Sequence, residues 1–469
     1  MPYWLQAHTT RRPALRRLDR VLSVSCLALV VVTASIPCWL MGQAKAGQTE
    51  ATWAPQVQSS PASPAAISPA RPVTTPVKAD PTSELKRPNF AQAVQAALSG
   101  DAKQTVFHLQ LTKGVTAEVF TLANPYRVIV DLPDVGFQLP EATGQQGQGL
   151  ITAFRYGQFA EGKARIVLDA AQPLLIAKAE MTVLASGAGV ELAIVLVPTT
   201  QQTFGGGTGA PAPEPETTTA ANPIPARPTG TKPVILIDPG HGGIDGGAVG
   251  SPKLIEKNVV LAVAKELQRQ LVKTNRFDVR MTRTTDVFVS LDRRLKLSRE
   301  HGADLFISLH ADSIADPQFV QLVRGATVYT LSERASDEQA RRMAEKENAS
   351  DLIAGIDGST GETGGEVKGI LIDLMKRETA NFSADFSTTL VGKLKQKVHL
   401  SRDPQRSAAF KVLKQTQAPS VLVELGYLSH DEDQKLLGSP DWQRSTAGCI
   451  AQAVDAFFAK RNVGAATQP

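Results

Sequence analysis

The chain has 469 residues, of which 42% are apolar and 20% are charged. This is enough for two or three domains with real cores, and it excludes a wholly disordered or collagen-like chain. The formal charge is +5, but residues 1–46 carry six basic side chains and one acidic side chain, so residues 47–469 are formally neutral. The positive net charge of the whole chain therefore gives no reason to expect a nucleic-acid partner.

Residues 1–46 are typical of an export signal. A basic region precedes the apolar run Val21–Leu40, and Ala44-Lys45-Ala46 has the small-residue pattern of a cleavage site. The stretch Thr10–Arg16 resembles a twin-arginine signal, except at Ala14, where a large apolar residue is usual. The alternative is an uncleaved membrane anchor, since about 20 apolar residues can span a bilayer. We favour cleavage because Ser, Thr and Pro dilute the run, and the mature protein then has no stable membrane span.

Cysteine usage limits the kinds of site that the chain can build. Cys26 and Cys38 lie in the predicted leader, so the exported chain keeps only Cys449. An internal disulfide and a cysteine-rich metal site are both excluded. Any bound metal must therefore be held by histidine and carboxylate side chains.

Two proline-rich stretches divide the rest of the chain. Residues 47–88 contain eight prolines, and residues 199–233 contain seven more together with Gly205-Gly206-Gly207. Such sequences favour extended, semi-flexible linkers. We predict linkers at 47–88 and 199–232, a first domain at 89–198 and a second domain at 233–462.

The first domain is predicted to be a small all-β sandwich after a short helical pattern at Phe90–Leu98. Glycine and proline separate short runs of β-forming residues. These runs are Val106–Leu111, Ala117–Leu122, Arg127–Leu132, Arg165–Asp169 and Val190–Val197. Short strands at this spacing favour a sandwich. No catalytic combination of residues occurs here, so we interpret the domain as a binding module.

The second domain alternates predicted strands and helices. The strands are Val234–Asp238, Val279–Thr282, Leu305–Leu309, Gly325–Leu331 and Val421–Leu425. The helices are Glu256–Val272, Leu291–His301 and Trp442–Lys460, with a helical insertion that begins at Ser332. This order predicts an α/β domain with an open, mostly parallel sheet and helices on both faces.

Four side chains lie where such a sheet gathers them. His241 and His310 follow the first and third strands, Glu424 lies near the end of the last strand, and Glu256 begins a helix. Strand carboxyl ends converge on one crevice in an open α/β sheet. Two imidazoles and one carboxylate make a zinc site with an open fourth position, where zinc lowers the pKa of a water to ~7. Glu424 is then free to take the proton of that water and pass it to a leaving amine.

Other interpretations of these residues stay open at this point. A single histidine after a strand is commonly structural, and Glu256 alone could be a helix N-terminal acid favoured by the dipole. The Gly-rich turn at 240–243 could cradle a phosphate, but it lacks both phosphate-binding glycine patterns.

The segments around the four side chains resemble the zinc-dependent N-acetylmuramoyl-L-alanine amidases of bacterial cell-wall remodelling. The matching segments are Ile237–Ala248, Glu256–Asn258, Met281–Asp286, Phe306–Ser313 and Pro419–Gly426. The resemblance covers nearly all of 233–460, and it implies that His241, Glu256 and His310 bind zinc and that Glu424 is the catalytic carboxylate. The implied reaction is hydrolysis of the amide between N-acetylmuramic acid and L-alanine of the stem peptide. His430 departs from the Asn that is common in relatives, and we interpret it as surface variation.

Residues 90–198 resemble the AMIN domain that often precedes such amidases. The matching segments are Asn124–Pro133, Phe154–Gln158 and Ala164–Asp169. The resemblance implies a β-sandwich that targets the enzyme to the septum or binds peptidoglycan. Arg127, Arg155 and Arg165 are either glycan contacts or partners in structural ion pairs.

Residues 332–380 form an insertion that is longer than the core fold needs. Ser332 is the predicted N-cap, and Ala335–Ile353 is rich in helix formers. One interpretation is a solvated surface helix. The other follows from a resemblance to division-associated amidases with a long insert, in which a helix blocks the metal until an activator binds. Glu347, with Glu345 as the second candidate, would then fill the open position of the zinc.

The sequence as a whole predicts an exported zinc amidase in a periplasm of the Gram-negative type. Its substrate would be peptidoglycan, in wall remodelling and daughter-cell separation, and its partner an activator from the division machinery. The alternatives are a non-catalytic peptidoglycan-binding scaffold with a structural metal and a zinc peptidase that cuts within the stem peptide.

Overall fold

The computed structural model describes residues 90–140, 142–209, 232–250, 254–314, 316, 318–356, 369–415 and 418–466. The predicted export signal at 1–46 and the linker at 47–88 lie outside the described residues, as does most of the linker at 199–232. Every element below belongs to one compact unit. Within the described ranges, no helix combines the length and the apolar character needed to cross a bilayer.

Nine strands form a β-sandwich, which confirms the predicted fold class of the first domain. They are β1 (Ala91–Gly100), β2 (Thr105–Leu111), β3 (Glu118–Leu122), β4 (Arg127–Pro133), β5 (Val135–Phe137), β6 (Ile151–Ala160), β7 (Lys163–Ala170), β8 (Leu174–Val183) and β9 (Val190–Pro198). One sheet has the order β5-β1-β2-β9-β8, and the other has the order β3-β4-β7-β6. Phe107 of the first sheet packs edge to face on Phe154 of the second, with ring centroids 5.2 Å apart, so the core lies between the sheets.

The helical pattern at Phe90–Leu98 is a wrong prediction, because Ala91–Gly100 is a strand. Its alanines favour a helix locally, but β1 pairs along its length with β2 in antiparallel register. Ala91 and Ala93 are fully buried against the sandwich core. Tertiary pairing therefore overrides the local propensity of this segment.

The chain that follows β9 packs back on the sandwich. Thr200 caps a single helical turn, α1 (Gln201–Phe204), by accepting a hydrogen bond from the Thr203 amide. Phe204 is buried and lies edge to face on Tyr126, with centroids 5.0 Å apart. The first residues after the sandwich therefore extend its packing into the stretch predicted as a linker.

The second domain has a six-stranded, mostly parallel sheet, as predicted. Its strands are β10 (Val234–Pro239), β11 (Asp278–Met281), β12 (Leu305–His310), β13 (Ala326–Leu331), β14 (Leu400–Ala408) and β15 (Ser420–Glu424). Their order is β11-β10-β12-β15-β13-β14, and only β13 and β15 pair antiparallel. The sequence did not predict β14, a largely polar edge strand. Strands β10, β12 and β15 are neighbours, so their carboxyl ends lie side by side.

Helices cover both faces of this sheet. They are α2 (Glu256–Lys273), α3 (Leu291–His301), α4 (Glu338–Asn348), α5 (Ser350–Ile353), α6 (Gly369–Leu394), α7 (Asp431–Leu437) and α8 (Pro440–Ala466). One core cluster joins the sheet to α2, α6 and α8, and another joins it to α3 and α4. The predicted α/β architecture is confirmed.

The insertion contains a shorter helix than the sequence indicates. Ser332 is not the N-cap, because its hydroxyl donates to the Arg334 carbonyl. Asp337 caps α4 instead, accepting from the Ala340 amide at 2.9 Å. The buried face of α4 carries Ala340, Met343, Ala344 and Glu347, so Glu347 is directed into the protein.

Candidate metal centre

Three side chains converge at the carboxyl edge of the sheet. His241 follows β10, His310 is the last residue of β12, and Glu256 is the first residue of α2. One potential ligand atom from each lies within 4.8 Å of the others. The Glu256 Oε1 atom is 3.2 Å from His241 Nε2 and 3.3 Å from His310 Nδ1. The sequence prediction that these residues meet therefore agrees with the observed geometry.

The two inward-facing ring nitrogens have no hydrogen-bond partner among the residues that the structure describes. His241 Nε2 and His310 Nδ1 are buried and unsatisfied, although buried polar atoms are nearly always paired. Both face the same carboxylate oxygen. A set of two imidazoles and one carboxylate suits a divalent cation, and zinc takes this combination in catalytic sites. The donors present therefore fit a metal ion.

Neighbouring groups hold each of these side chains in place. Asp245 Oδ2 lies 2.9 Å from His241 Nδ1, which directs the Nε2 lone pair to the centre. The Glu256 carboxylate accepts hydrogen bonds from the amides of Ala248 and Ala311, each at 2.8 Å. Both oxygens of Glu256 are thus oriented before any ion binds.

The backbone before His241 is held by two buried arginines. Arg294 donates to the carbonyls of Pro239 and His241 at 2.9 Å, and it forms an ion pair with Asp238. Arg283 donates to the Pro239 carbonyl at 3.0 Å and to the Gly240 carbonyl at 2.8 Å. Burial and the neighbouring Arg294 lower the pKa of Arg283 to about 10, so it stays charged at neutral pH.

Gly240 leaves room for the His310 ring. A Cβ atom at this position would lie 2.5 Å from His310 Nε2, closer than any ordinary contact. His241 itself has a φ of 55°, in the left-handed region. The glycine-rich turn therefore serves to bring two histidines together.

Opposite charges stabilise the centre electrostatically. Burial lowers the pKa of His241, but the carboxylates of Asp245, Glu256 and Glu347 outweigh it and raise that pKa well above its ordinary value. Burial raises the pKa of Glu256, but the two histidines hold it well below its ordinary value. The pocket thus holds several interacting charges away from water.

Glu424 lies beside His310 in the sheet. It is the last residue of β15, and its Cα atom pairs with that of His310 in the parallel register, so the two side chains share one face of the sheet. Its Oε2 atom accepts from the Asp312 amide at 3.1 Å, while its buried Oε1 atom has no partner within the described part of the chain. Burial and the nearby Asp312 raise the pKa of Glu424 well above its ordinary value.

Glu347 reaches the centre from α4. Its Oε2 atom lies 3.3 Å from His310 Nδ1 and 3.5 Å from His241 Nε2. Burial raises the pKa of Glu347, and the two histidines only partly offset this effect. Glu345, the second candidate, has an exposed side chain that pairs with Arg341. Of the two glutamates, only Glu347 faces the candidate ligands.

Sequence reasoning assigned no role to Asp245, Asp312 or Lys346. Asp312 is fully buried and forms an ion pair with Lys346 of α4. Lys346 and Glu347 therefore attach α4 to the centre through adjacent side chains. The one local signal was the position of Asp245, four residues after His241 in a glycine-rich turn.

His430 is not a surface variation, contrary to the prediction. It is 6% exposed, and its Nδ1 atom accepts from the Glu432 amide at 3.2 Å as the N-cap of α7. An asparagine would cap the same helix. Histidine and asparagine would therefore serve the same capping function at this position.

The chain matches two known sequence families. Residues 235–456 match the family described as N-acetylmuramoyl-L-alanine amidase, and residues 97–192 match the AMIN domain. Both assignments agree with the resemblances identified from the sequence motifs.

Several named relatives match much of the chain. It is 37% identical over 234 residues to the N-acetylmuramoyl-L-alanine amidase AmiA of Escherichia coli strain K12, which is 50% of this chain and 78% of that protein. It is 32% identical over 356 residues to AmiC of Escherichia coli O6:H1, which is 72% of this chain and 83% of that protein. It is 31% identical over 373 residues to AmiC of Neisseria meningitidis serogroup B, which is 75% of this chain and 86% of that protein.

Proposed function

The chain belongs to the family of N-acetylmuramoyl-L-alanine amidases, and we propose that His241, Glu256 and His310 hold the zinc ion with which it hydrolyses peptidoglycan. The bond cut by such an enzyme joins N-acetylmuramic acid to L-alanine. The observation that carries the zinc proposal is the pair of buried, unpartnered imidazole nitrogens facing one Glu256 oxygen.

We assign the proton transfers to Glu424. A bound zinc ion would supply Lewis acidity towards the scissile carbonyl and a water molecule. Glu424 takes a proton from the attacking water and gives it to the departing amine nitrogen. Support comes from its place beside His310 and from its buried Oε1 atom, which forms no hydrogen bond with any described residue.

We propose that the conformation described here is self-inhibited. Catalytic zinc sites have three protein ligands and one open position, whereas a fourth protein ligand closes the site. Glu347 Oε2 lies within 3.5 Å of both unpartnered nitrogens, so it competes for that open position. A protein of the division machinery that moves α4 would therefore activate the enzyme.

We place the mature enzyme in the periplasm, where it acts in wall remodelling and daughter-cell separation. The predicted export signal at 1–46, the AMIN domain and the AmiA and AmiC relatives support this location. The AMIN domain would bring the enzyme to the wall.

The experiment compares wild-type protein with three variants on purified sacculi. Glu424→Gln should keep zinc but lose activity by about a hundredfold or more, since a positioned acid–base group contributes this much. Glu347→Ala should be faster than wild type, and Glu345→Ala, its matched control on the same helix, should equal wild type. Mass spectrometry of the released stem peptides, with and without chelator, identifies the bond that is cut.

Two results would contradict the proposal. Activity that survives complete removal of zinc would exclude the metal site. A Glu347→Ala variant that folds, binds zinc and is no faster than wild type would exclude self-inhibition.

A further inference from the structure

Three arginines of the β-sandwich bind the backbone of the helical insertion. They lie on β4, β6 and β7, in the sheet of order β3-β4-β7-β6. The contacts are Arg127 Nη1 to the Leu352 carbonyl at 2.6 Å, Arg155 Nε to Ile353 at 2.7 Å, and Arg165 Nη1 to Ala354 at 3.0 Å and Gly355 at 3.2 Å. Four successive carbonyls at the end of α5 thus accept from guanidinium groups. The last carbonyls of a helix have no partner within it, and cations are favourable there.

Acidic side chains of the sandwich orient two of these arginines. Arg165 forms a two-point ion pair with Asp131, at 2.6 and 2.8 Å. Arg155 forms another with Asp169, at 2.6 and 2.9 Å. Each guanidinium keeps a further N–H group directed at the insertion, so the donors are organised by the sandwich itself. For Arg155 and Arg165, the geometry therefore favours a role in structural ion pairs over a role in glycan contacts.

Apolar packing accompanies the hydrogen bonds. Ala354 and Ile356 of the insertion pack in one cluster with Ile129 and Val167 of the sandwich. Gly355 has a φ of 71°, and a Cβ atom there would lie 2.6 Å from Ile129 Cδ1. The backbone of the insertion thus lies directly on the sheet.

The same sheet also contacts the loop that follows His241. The Gln158 carbonyl of β6 accepts from the amides of Ile244 and Phe288, both at 3.2 Å. At Gly157, a Cβ atom would lie 2.5 Å from the Ile244 nitrogen. The sandwich therefore bridges the insertion and the metal-binding loop.

We propose that the β-sandwich is a latch that holds the segment Leu352–Gly355 and thereby keeps Glu347 at the metal centre. Only Ala349 separates α4 from α5, so displacement of the segment pulls on the helix that carries Glu347. This inference rests on the proposed function, in which Glu347 inhibits the enzyme. It adds a regulatory role to a domain assigned only to wall targeting.

The residues just before the latched segment are also held on the catalytic side. On the catalytic side, Asp351 accepts from the Leu291 amide at 2.9 Å, and Asn348 donates to the Ala409 carbonyl at 2.9 Å. Loss of the latch should therefore raise activity in part and leave some inhibition in place.

The test uses Arg155→Lys in the full-length, zinc-loaded protein. Lysine keeps a positive charge beside Asp169. It lacks the planar guanidinium group that donates to the Asp169 carboxylate and to the Ile353 carbonyl at the same time. We expect about a fivefold rise in sacculus hydrolysis, the factor that one net hydrogen bond contributes to a two-state equilibrium. Amide exchange at residues 350–356 should also quicken. Arg299→Lys, at an exposed site on α3, is the matched control and should change neither quantity.

A second variant and a double mutant decide the interpretation. Gly157→Leu presses on the Ile244 backbone and should also quicken exchange at residues 350–356, whereas Ala177→Leu, exposed on β8, should not. In a Glu347→Ala background, Arg155→Lys should give no further rise in activity. Thermal unfolding checks that every variant is folded.

Three outcomes would contradict the proposed latch. If Glu347→Ala is faster but Arg155→Lys changes neither rate nor exchange, the latch is wrong and self-inhibition stands. If Arg155→Lys raises activity equally with and without Glu347, the sandwich acts by another route. If Glu347→Ala is no faster than wild type, the proposed inhibition fails and the latch fails with it.

Discussion

At the residue scale, the orientation of His241 depends on Asp245. The Asp245 carboxylate lies 2.9 Å from His241 Nδ1 and also accepts from the Gly247 amide at 3.1 Å. It therefore couples the ring to the turn that carries it. A hydrogen-bond partner of this kind fixes the ring orientation of a metal-binding histidine and raises its basicity.

Removing this partner should weaken metal binding. We expect Asp245→Ala to bind zinc about 10- to 100-fold more weakly, since the imidazole loses the group that orients it. Competition with a coloured chelator measures the affinity. Asp278→Ala, at a half-buried acid of β11 that pairs with Arg280, is the control. Equal affinities of the two variants would contradict the assigned role of Asp245.

The sequence was most informative about residues at strand ends. His241, His310 and Glu424 follow or end recognisable apolar strands, so their convergence could be predicted from topology. The choice of Glu347 over Glu345 agrees with the buried face of α4, which Ala340, Met343 and Ala344 define. The contact between Lys346 and Asp312 could not be predicted, because it depends on how the insertion packs on the sheet.

At the element scale, α4 is held by its N-cap. The Asp337 carboxylate accepts from the Ala340 amide at 2.9 Å and lies 3.3 Å from Arg406 of β14. A helix of this length is marginal without such contacts. The cap therefore contributes to the position of Glu347 at the far end of the helix.

Removing the cap should loosen the helix and activate the enzyme. Loss of an N-cap costs about 1 kcal/mol, so Asp337→Ala should raise sacculus hydrolysis by about fivefold if α4 inhibits. Ser332→Ala is the control, because Ser332 lies outside the helix and does not cap it. Equal rates for these two variants would show that fraying of α4 does not control access to the centre.

The sequence did not predict the strands whose formation depends on pairing with other strands. Strand β1 has a helix-favouring alanine-rich sequence, and it is a strand only because β2 and β5 flank it. Strand β14 is polar and contains Pro404, so it lacks the apolar pattern of the inner strands. The buried strands β10, β12 and β15 were predicted because burial on both faces makes them continuously apolar.

At the scale of the whole molecule, the candidate centre concentrates buried charge. Glu256, Glu347, Glu424 and Asp312 are all at most 5% exposed. Lys346 pairs with Asp312 and balances only part of this charge. A divalent cation would therefore stabilise the folded domain as well as serve the reaction.

Chelation should accordingly lower thermal stability. At a hundred times its dissociation constant, a ligand stabilises the folded state by about 2.7 kcal/mol, so removing zinc should lower the unfolding temperature by several degrees. Calorimetry with and without chelator measures the shift. Chelation should lower the unfolding temperature of Glu256→Gln by less than that of the wild type. The unfolding temperature of Glu345→Ala should fall as much as that of the wild type. An unchanged temperature in the wild type would argue against a bound ion.

The arginines of the sandwich bind main-chain carbonyls, which every amino acid carries. Leu352 and Ile353 can therefore diverge between lineages without losing their hydrogen bonds. The fully buried Ala354, the three guanidinium groups and Gly157 cannot change freely. Analyses that look for correlated substitutions would find little signal across this contact. Orthologues in which all three arginines are absent should also have lost the contact, whatever the sequence of their insertion.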